Sequence, residues 1–245
     1  MPVRYDSLIL CCSGGVVLKR CLDVLVAFCL ILLVLPVLLF CALVIRLESR
    51  GPVVFRQLRM GRNFCPFLIC KFRTMRHNSP GSPVTLGADT RITRFGHWMR
   101  RHKLDELPQL WNVLCGDMSL VGPRPVIPSI TEEFRGQYRD LLAVRPGLTD
   151  PATLAYYHEC DLLAAVPDPL HYFKEVVTPD KLRRSAEYLE RATLSSDLVV
   201  LAQTSMAVGL HWHIGARAPR TPFPSIQIAQ LAIDACADQE AAAGD

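Results

Sequence analysis

The sequence predicts an irregular, helix-rich α/β protein, in which a re-entrant membrane hairpin (helix, break, helix) is joined to a small cytosolic domain with amphipathic interfacial helices. An uncharged apolar run, Val24 to Ile45, reaches the length of a membrane-spanning helix. It is followed by β-branched and aromatic stretches interrupted by Gly and Pro, and then by helical periodicity. The predicted parts are an N-terminal segment (1–18), the membrane hairpin (19–50), the cytosolic domain (51–207) and a flexible C-terminal tail (208–245).

The apolar run contains a proline and is flanked by positive charge at both ends. Pro36 removes a backbone donor near the middle of the run and predicts a break, which leaves each half roughly 15 to 18 Å long, about one leaflet. Basic residues mark the cytoplasmic side of a membrane segment. They occur before the run at Lys19 and Arg20, and after it at Arg46, Arg50, Arg56 and Arg59. A hairpin with both ends in the cytoplasm satisfies these signals, and an ordinary kinked span is the alternative.

Length, charge and composition exclude some classes of protein but do not identify a function. The 245 residues suit one domain of ordinary size plus an accessory segment, and the net charge of +4 suits anionic lipids or phosphorylated ligands without requiring them. The ten cysteines lack framework or zinc-ligand spacing, so we predict reduced thiols and no structural metal. Neither a recognition helix nor an aromatic stacking motif indicates nucleic-acid binding.

The cytosolic domain is predicted to begin with strands and to continue with helices. The stretch 53–75 is expected to form short strands or an extended hairpin, because Gly61 and Pro66 interrupt its β-branched and aromatic residues. The Ser/Pro/Gly-rich stretch 77–89 indicates a loop, and the three prolines of 119–128 argue against a regular element there. The remaining predictions are helices at 93–101, 105–114, 132–142 and 178–207, a turn at 145–147 and a frayed tail from residue 217.

Two adjacent carboxylates and several constrained basic residues are candidates for chemistry. Asp105 and Glu106 begin a predicted helix, where acidic residues also complement the helix dipole and cap free amides. Phosphoryl transfer needs cations that neutralise phosphates, a carboxylate for a divalent metal and a nucleophile placed in line. Cations occur in constrained segments at Lys71, Arg73, Arg124 and Arg145. This inventory is complete for phosphoryl transfer, although each arginine could equally be a solvated or lipid-facing cation.

Four motifs occur in an order that resembles a known family. They are Lys19-Arg20-x-x-Asp23 before the apolar run, KFRTM at 71–75, KLDELPQLWNVLCGDMSLVGPRP at 103–125 and RPGLT at 145–149. This order resembles the bacterial sugar transferase family, the monotopic phosphoglycosyl transferases of the undecaprenyl-phosphate sugar phosphotransferase type, over roughly residues 19–201. The longest block is too specific for chance agreement.

The resemblance implies a reaction and the residues that perform it. Asp105 would be the nucleophile that attacks the β-phosphate of a nucleoside diphosphate sugar such as a UDP-sugar, and Glu106 would assist with the metal or as a base. Mg²⁺ is the implied cofactor, held at this pair. The implied phosphate-binding residues are Lys71, Arg100, Arg124 and Arg145. Pro36 would be the break of the re-entrant hairpin, and Lys19 and Arg20 would anchor it at the lipid headgroups.

The resemblance also implies partners and a location. The partners are a nucleotide-sugar donor, undecaprenyl phosphate as acceptor and membrane lipid; no nucleic acid is expected, and a homodimer stays open. The location is the bacterial inner membrane with the catalytic domain on the cytoplasmic face, where the protein would start an exopolysaccharide or another surface glycan. Residues 148–163 depart from the family pattern after RPG, so the sugar stays open.

Two other functions are compatible with the residues. Another membrane lipid phosphotransferase would also use cations and paired carboxylates, but such enzymes are polytopic and this chain has one apolar segment. A non-catalytic membrane-tethered scaffold is the second alternative.

Overall fold

A computed structural model of the protein describes residues 13–77 and 89–214. Most of the predicted N-terminal segment, nearly all of the predicted loop at 77–89 and most of the predicted tail lie outside these residues. The described chain is helix-rich and contains two small two-stranded sheets. It confirms the predicted α/β class with one long apolar helix near the N-terminus.

The apolar run forms a single long helix, α1 (Ser13–Glu48), with Pro36 inside it. The predicted break therefore does not divide the run into two helices. A proline removes one backbone hydrogen bond, here the bond to the Leu32 carbonyl, and the apolar residues on both sides continue the helix. By length and composition α1 could cross a membrane, and the re-entrant path stays a prediction.

Both halves of α1 pack on the same folded domain. The N-terminal half buries Ala27 in a cluster that includes Leu110 and Val113. The C-terminal half buries Cys41 and Ile45 in a second cluster. The rest of the helix surface exposes large apolar side chains along its length, at Val17, Leu18, Leu22, Leu25, Phe28, Leu32, Leu33, Leu35, Val37, Leu39, Phe40, Leu43 and Leu47. An apolar surface of this extent is typical of a membrane or protein contact.

The first sheet is an antiparallel hairpin of β1 (Val54–Met60) and β2 (Pro66–Phe72). It confirms the strands predicted for this stretch. The register pairs Phe55 with Lys71 and Arg59 with Phe67. Because side chains alternate along a strand and directly paired residues share a face, Lys71 and Arg59 lie on the same face of the hairpin.

Short helices make up most of the remaining described chain. The helix α2 (Arg94–Arg101) begins after Thr93, whose side chain accepts a hydrogen bond from the Gly96 amide. The later helices are α3 (Gln109–Cys115), α4 (Pro128–Glu133), α5 (Arg135–Leu141), α6 (Pro151–Ala155), α7 (Glu159–Ala164), α8 (Pro169–Tyr172), a π-helical turn (Phe173–Val177), α9 (Thr178–Glu190) and α10 (Leu194–Ile214). The second sheet pairs β3 (Ser119–Val121) in parallel with β4 (Gly147–Thr149).

The second predicted helix starts later than expected. Asp105 and Glu106 belong to a 3-10 turn, and α3 begins only at Gln109. Lys103 has a left-handed backbone with φ of 55°, which cannot continue α2 into the turn. Pro108 then lies directly before α3, where the helix needs no backbone donor from it.

Three further predicted elements differ from the observed ones. The proline-rich stretch 119–128 contains β3, because pairing with β4 supplies hydrogen bonds that the local sequence does not reveal. The helix predicted at 132–142 is divided into α4 and α5 at Phe134, whose φ of −111° lies outside the helical range. The helical pattern of 178–207 is likewise divided, into α9 and α10.

Asp23 is a buried carboxylate that joins α1 to β3. It accepts hydrogen bonds from Ser119 Oγ at 2.7 Å and from the Leu120 amide at 3.2 Å. We expect Asp23→Ala to lower the free energy of unfolding by about 1–3 kcal/mol, because a buried amide loses its acceptor. Thermal melting in detergent measures the loss, with Glu190→Ala at the exposed end of α9 as the control. Equal melting temperatures for the two variants would contradict this role.

Candidate functional site

The two candidate carboxylates lie on the 3-10 turn between α2 and α3. The left-handed Lys103 sets the direction of the turn, and Leu104 anchors it in the apolar cluster that also holds Phe72 of β2. Asp105 is consequently buried, with 8% of its surface exposed. The turn thus presents both carboxyl groups next to the hairpin strand that carries the KFRTM motif.

Glu106 is bound by two cations from different parts of the chain. Lys71 Nζ, from β2, lies 3.0 Å from Glu106 Oε1. Arg124, from the loop after β3, donates from both terminal nitrogens, with NH1 3.2 Å from Oε2 and NH2 bonded to Oε1. This two-point contact fixes the position of the Glu106 carboxylate. Three segments remote in sequence therefore meet at one carboxylate.

Asp105 has a different environment from its neighbour. Among the described residues, none donates a hydrogen bond to its carboxylate or forms an ion pair with it. Burial raises the pKa of Asp105, the adjacent Glu106 adds to the increase, and Lys71, Arg100 and Lys103 oppose it. Asp105 is therefore the more basic carboxylate of the pair.

The pKa of Glu106 is shifted in the opposite direction. Burial would raise its pKa, but Arg124, Lys71 and Lys103 outweigh burial and hold it well below its ordinary value. Glu106 stays ionised at neutral pH. Two neighbouring carboxyl groups with opposite pKa shifts are typical of active sites in which the two groups perform different chemical roles.

Arg100 lies near the dyad and is oriented by the KFRTM segment. Its Nε donates to Thr74 Oγ1 at 2.8 Å, and its charge acts on Asp105. The structure thus brings three of the implied phosphate-binding residues, Lys71, Arg100 and Arg124, together around Asp105 and Glu106. That they bind phosphate stays a prediction.

Arg145, also predicted to bind phosphate, lies at the C-terminal end of α3. Its Nε donates to the Gly116 carbonyl at 2.8 Å, an acceptor that the helix end leaves unpaired. Burial lowers the pKa of Arg145, with further decreases from Arg20 and Arg62. These neighbours lie outside the dyad cluster, so the structure does not bring Arg145 to the two carboxylates.

The two basic residues predicted to anchor the hairpin at lipid headgroups bind the protein itself. Arg20 donates to the Val113 and Leu114 carbonyls at 2.8 and 3.1 Å. Lys19 forms an ion pair with Asp197 of α10. Both contacts fix the start of α1 on the folded domain.

Arg73 plays the corresponding part at the other end of α1. It donates to the Ser49 and Arg50 carbonyls at 2.7 and 3.1 Å, just after the helix ends. Lys71, two residues earlier on β2, reaches Glu106. The KFRTM segment therefore joins the end of the apolar helix to the dyad.

The stretch that departs from the family pattern borders the dyad. Lys181 Nζ, on α9, lies 2.6 Å from Glu159 Oε1. Lys103, next to the dyad turn, places its Nζ 5.1 Å from the centre of the Tyr157 ring. Burial raises the pKa of the Tyr157 phenol, and the charge of Glu106 adds to the shift. Residues 148–163 thus include side chains close enough to the dyad to influence what binds there.

Sequence reasoning missed Arg59, treating it as a charge flanking the apolar run. In the structure Arg59 lies close enough to Arg124 and Glu106 for their charges to shift its pKa. The signal that could have found it is strand parity, since Arg59 and Lys71 fall on the same face once the hairpin register is known. The register itself was not available from the sequence.

Positive charge exceeds negative charge around the dyad. The two carboxylates are influenced by the cations Arg59, Lys71, Arg100, Lys103 and Arg124. Partly buried cations in excess of their counter-ions favour an anionic ligand. The site therefore has the chemistry of a phosphate-binding centre in which one carboxylate, that of Asp105, accepts no hydrogen bond from the described residues.

Comparison with known proteins agrees with this class of site. The family model described as bacterial sugar transferase matches residues 15–211. The chain belongs to the bacterial sugar transferase family, and the resemblance drawn from the motifs is confirmed.

Individual relatives match between about half and three fifths of the chain. It is 47% identical over 136 residues to a UDP-glucose:undecaprenyl-phosphate glucose-1-phosphate transferase of Caulobacter vibrioides, covering 54% of this chain and 51% of the relative. It is 41% identical over 151 residues to a UDP-N-acetylgalactosamine-undecaprenyl-phosphate N-acetylgalactosaminephosphotransferase of Aeromonas hydrophila. This match covers 59% of this chain and 35% of the relative. It is 43% identical over 147 residues to the exopolysaccharide production protein PSS of Rhizobium leguminosarum. This match covers 56% of this chain and 74% of the relative. The matches thus span about half or less of the two named transferases.

Proposed function

We propose that the protein transfers a sugar-1-phosphate from a UDP-sugar to undecaprenyl phosphate and thereby starts an exopolysaccharide or another surface glycan. The observation that carries the proposal is the contrast within the dyad. In the part of the chain that the structure describes, no donor binds Asp105, whereas Glu106 is fixed between Lys71 and Arg124. The relatives support it, because the two named for a reaction use a UDP-sugar and undecaprenyl phosphate.

In the proposed mechanism Asp105 is the nucleophile. One of its carboxylate oxygens attacks the β-phosphorus of the donor and forms an O–P bond. The bond from that phosphorus to the bridging oxygen breaks, and the nucleoside monophosphate leaves with the electron pair. An oxygen of undecaprenyl phosphate then attacks the same phosphorus and releases the Asp105 carboxylate unchanged. The raised pKa of Asp105 supports this role, because a more basic carboxylate is a stronger nucleophile.

Glu106 and the cations are proposed to hold the phosphates in place. A general base works best with a pKa near the operating pH, and the pKa of Glu106 is well below that range. The contacts therefore favour a positioning or metal-binding role for Glu106. Lys71, Arg100 and Arg124 would neutralise the charge of the diphosphate as it is attacked.

We also propose Mg²⁺ as the cofactor, held by Asp105 and Glu106. The described residues contain no group of three or more His, Cys, Asp or Glu that could hold a metal ion. Mg²⁺ commonly binds through one or two carboxylates, with substrate phosphates completing its shell, so this donor set fits. When bound, Mg²⁺ would offset charge on the phosphate oxygens.

The apolar helix is proposed to enter and leave the bilayer on the cytoplasmic face. A helix that crossed the membrane would carry its far half away from a domain on one side. Both halves of α1 instead pack on one domain, which supports the re-entrant path. A kink at Pro36, at the deepest part of that path, would let the continuous helix return to the face it entered.

Cysteine labelling tests this path. Single cysteines at Val17 and Leu47, both exposed, would be introduced into an active cysteine-free variant. An impermeant maleimide is expected to label both positions in inside-out membrane vesicles and neither in right-side-out cells. Labelling of the two positions from opposite sides would establish a spanning helix.

The function is tested by measuring nucleoside monophosphate release from a panel of UDP-sugars, with Mg²⁺ and undecaprenyl phosphate. We expect release that depends on the acceptor and is largest for one donor. The panel must include UDP-glucose and UDP-N-acetylgalactosamine, since the names of the relatives differ in the sugar. Absence of turnover with every donor, by correctly inserted protein, would favour the scaffold alternative.

A further inference from the structure

Arg59 is a cation at the edge of the dyad cluster that forms no ion pair with a carboxylate of the described residues. It lies on β1, on the same hairpin face as Lys71. One terminal nitrogen donates to Gln57 Oε1 at 2.7 Å. Its Nε is buried and finds no acceptor among the described residues. A buried guanidinium nitrogen without an acceptor is unfavourable unless a ligand supplies one.

The surrounding charges indicate what kind of ligand is missing. Burial and the charge of Arg124 lower the pKa of Arg59 to about 10, and Glu106 and Tyr138 only partly compensate. Glu106 is already shared by Lys71 and Arg124. An anion beside Arg59 would offset the repulsion between Arg59 and Arg124, and it would give the Arg59 Nε–H an acceptor.

The backbone holds Arg59 next to the Arg124 loop. Met60, the following residue, donates its backbone amide to the Val126 carbonyl at 3.0 Å. This bond joins the end of β1 to the Pro123–Pro125 segment that carries Arg124. The two guanidinium groups are therefore placed by connected backbone, and their closeness does not depend on flexible side chains alone.

We propose that Arg59 is a phosphate-binding residue of this site, whose Nε–H donates to a phosphate oxygen of the substrate. The proposal rests on the proposed function and extends it to a residue outside the motif blocks. The phosphate belongs either to the donor's diphosphate or to the acceptor's phosphate, and separate measurements distinguish these sources.

The first measurement needs no turnover. UDP and inorganic pyrophosphate are added to the purified protein, and the increase in melting temperature is compared between wild type, Arg59→Met and Arg59→Lys. If Arg59 binds the donor's diphosphate, the increase should be lost in Arg59→Met and reduced in Arg59→Lys, which keeps the charge but not the guanidinium geometry. If it binds the acceptor's phosphate, the increase with UDP should persist and only KM for undecaprenyl phosphate should rise. The melting temperature of ligand-free Arg59→Met should equal or exceed that of wild type, because an unpaired buried donor is removed.

The second measurement separates the two phosphates. KM for the UDP-sugar and KM for undecaprenyl phosphate are determined for the same variants. Arg59→Met should raise one of these KM values about 10- to 100-fold, as expected for losing a charge-assisted hydrogen bond. The substrate whose KM rises identifies the phosphate. Arg56→Met, an exposed arginine on the opposite face of β1, is the matched control and should change neither.

Two results would overturn the proposal. One is a UDP- or pyrophosphate-induced stabilisation of Arg59→Met equal to that of wild type, together with unchanged KM values. The other is a lower melting temperature of the ligand-free variant with unchanged KM values, which would make Arg59 a structural residue. Failure of the proposed function looks different, because wild type itself would then turn over none of the donors.

Discussion

Asp105→Asn is expected to abolish nucleoside monophosphate release, reducing kcat on the order of 10³-fold or more. The amide has nearly the same shape as the carboxylate but cannot form the bond to phosphorus. Because Asp105 receives no hydrogen bond from the described residues, the substitution disturbs no protein contact that the structure describes. Loss of activity should therefore occur without loss of folding, as measured by thermal melting and by recovery in the membrane fraction.

A matched variant and a chemical test make this prediction specific. Asp140→Asn, on α5 and outside the dyad cluster, should retain wild-type release. Wild-type protein incubated with donor alone and digested should contain a peptide with sugar-phosphate mass on Asp105, and Asp105→Asn should not. Substantial release by Asp105→Asn would rule out the covalent route and would favour direct attack by the acceptor.

Arg124→Ala is expected to lower kcat/KM on the order of 10²- to 10³-fold, the usual cost of removing one charged donor from a site that stabilises developing charge. Arg124 makes the two-point contact with Glu106. Without it, Glu106 keeps Lys71 as its partner but loses its fixed position. Steady-state kinetics with the preferred donor measure the effect.

Arg145→Ala provides the contrasting result. The motif blocks treat Arg124 and Arg145 alike, as basic residues beside prolines. In the structure, however, Arg145 donates a hydrogen bond to the Gly116 carbonyl at the end of α3. Arg145→Ala should lower the melting temperature by roughly 3 to 10 °C, the loss of one charge-assisted hydrogen bond, and kcat/KM at low temperature should stay near wild type. If Arg145→Ala lowered kcat/KM as much as Arg124→Ala does, Arg145 would have to be counted among the phosphate-binding residues.

The apolar run and the carboxylate dyad were both predictable because each depends on local sequence. The uncharged run around Pro36 needs no tertiary information, since length and hydropathy alone make a segment suited to a bilayer. Asp105 and Glu106 were singled out by a motif block in which adjacent carboxylates, prolines and basic residues occur together. The hairpin at 54–72 followed from β-branched residues interrupted by Gly and Pro.

The path of the apolar helix was less accessible to sequence reasoning. Pro36 predicted a division into two helices, whereas α1 is continuous, because one missing hydrogen bond does not outweigh the helical preference of the residues on both sides. Lys19 and Arg20 were expected among lipid headgroups, yet they bind Asp197 and carbonyls at the end of α3. A sequence shows that a residue is basic but does not show which carbonyls or carboxylates come within its reach.

Local patterns in the sequence reveal an apolar run long enough to span a bilayer, a carboxylate dyad and enough cations for phosphate chemistry. Which of these cations meet the dyad depends on tertiary packing. Arg145 was expected there and lies at a helix end, while Arg59 was taken for a flanking charge and lies in the cluster. The physical reason is that convergence depends on the register of β1 with β2 and on the return of the loop after β3. Both are set by packing between segments far apart in the chain, which no local pattern encodes.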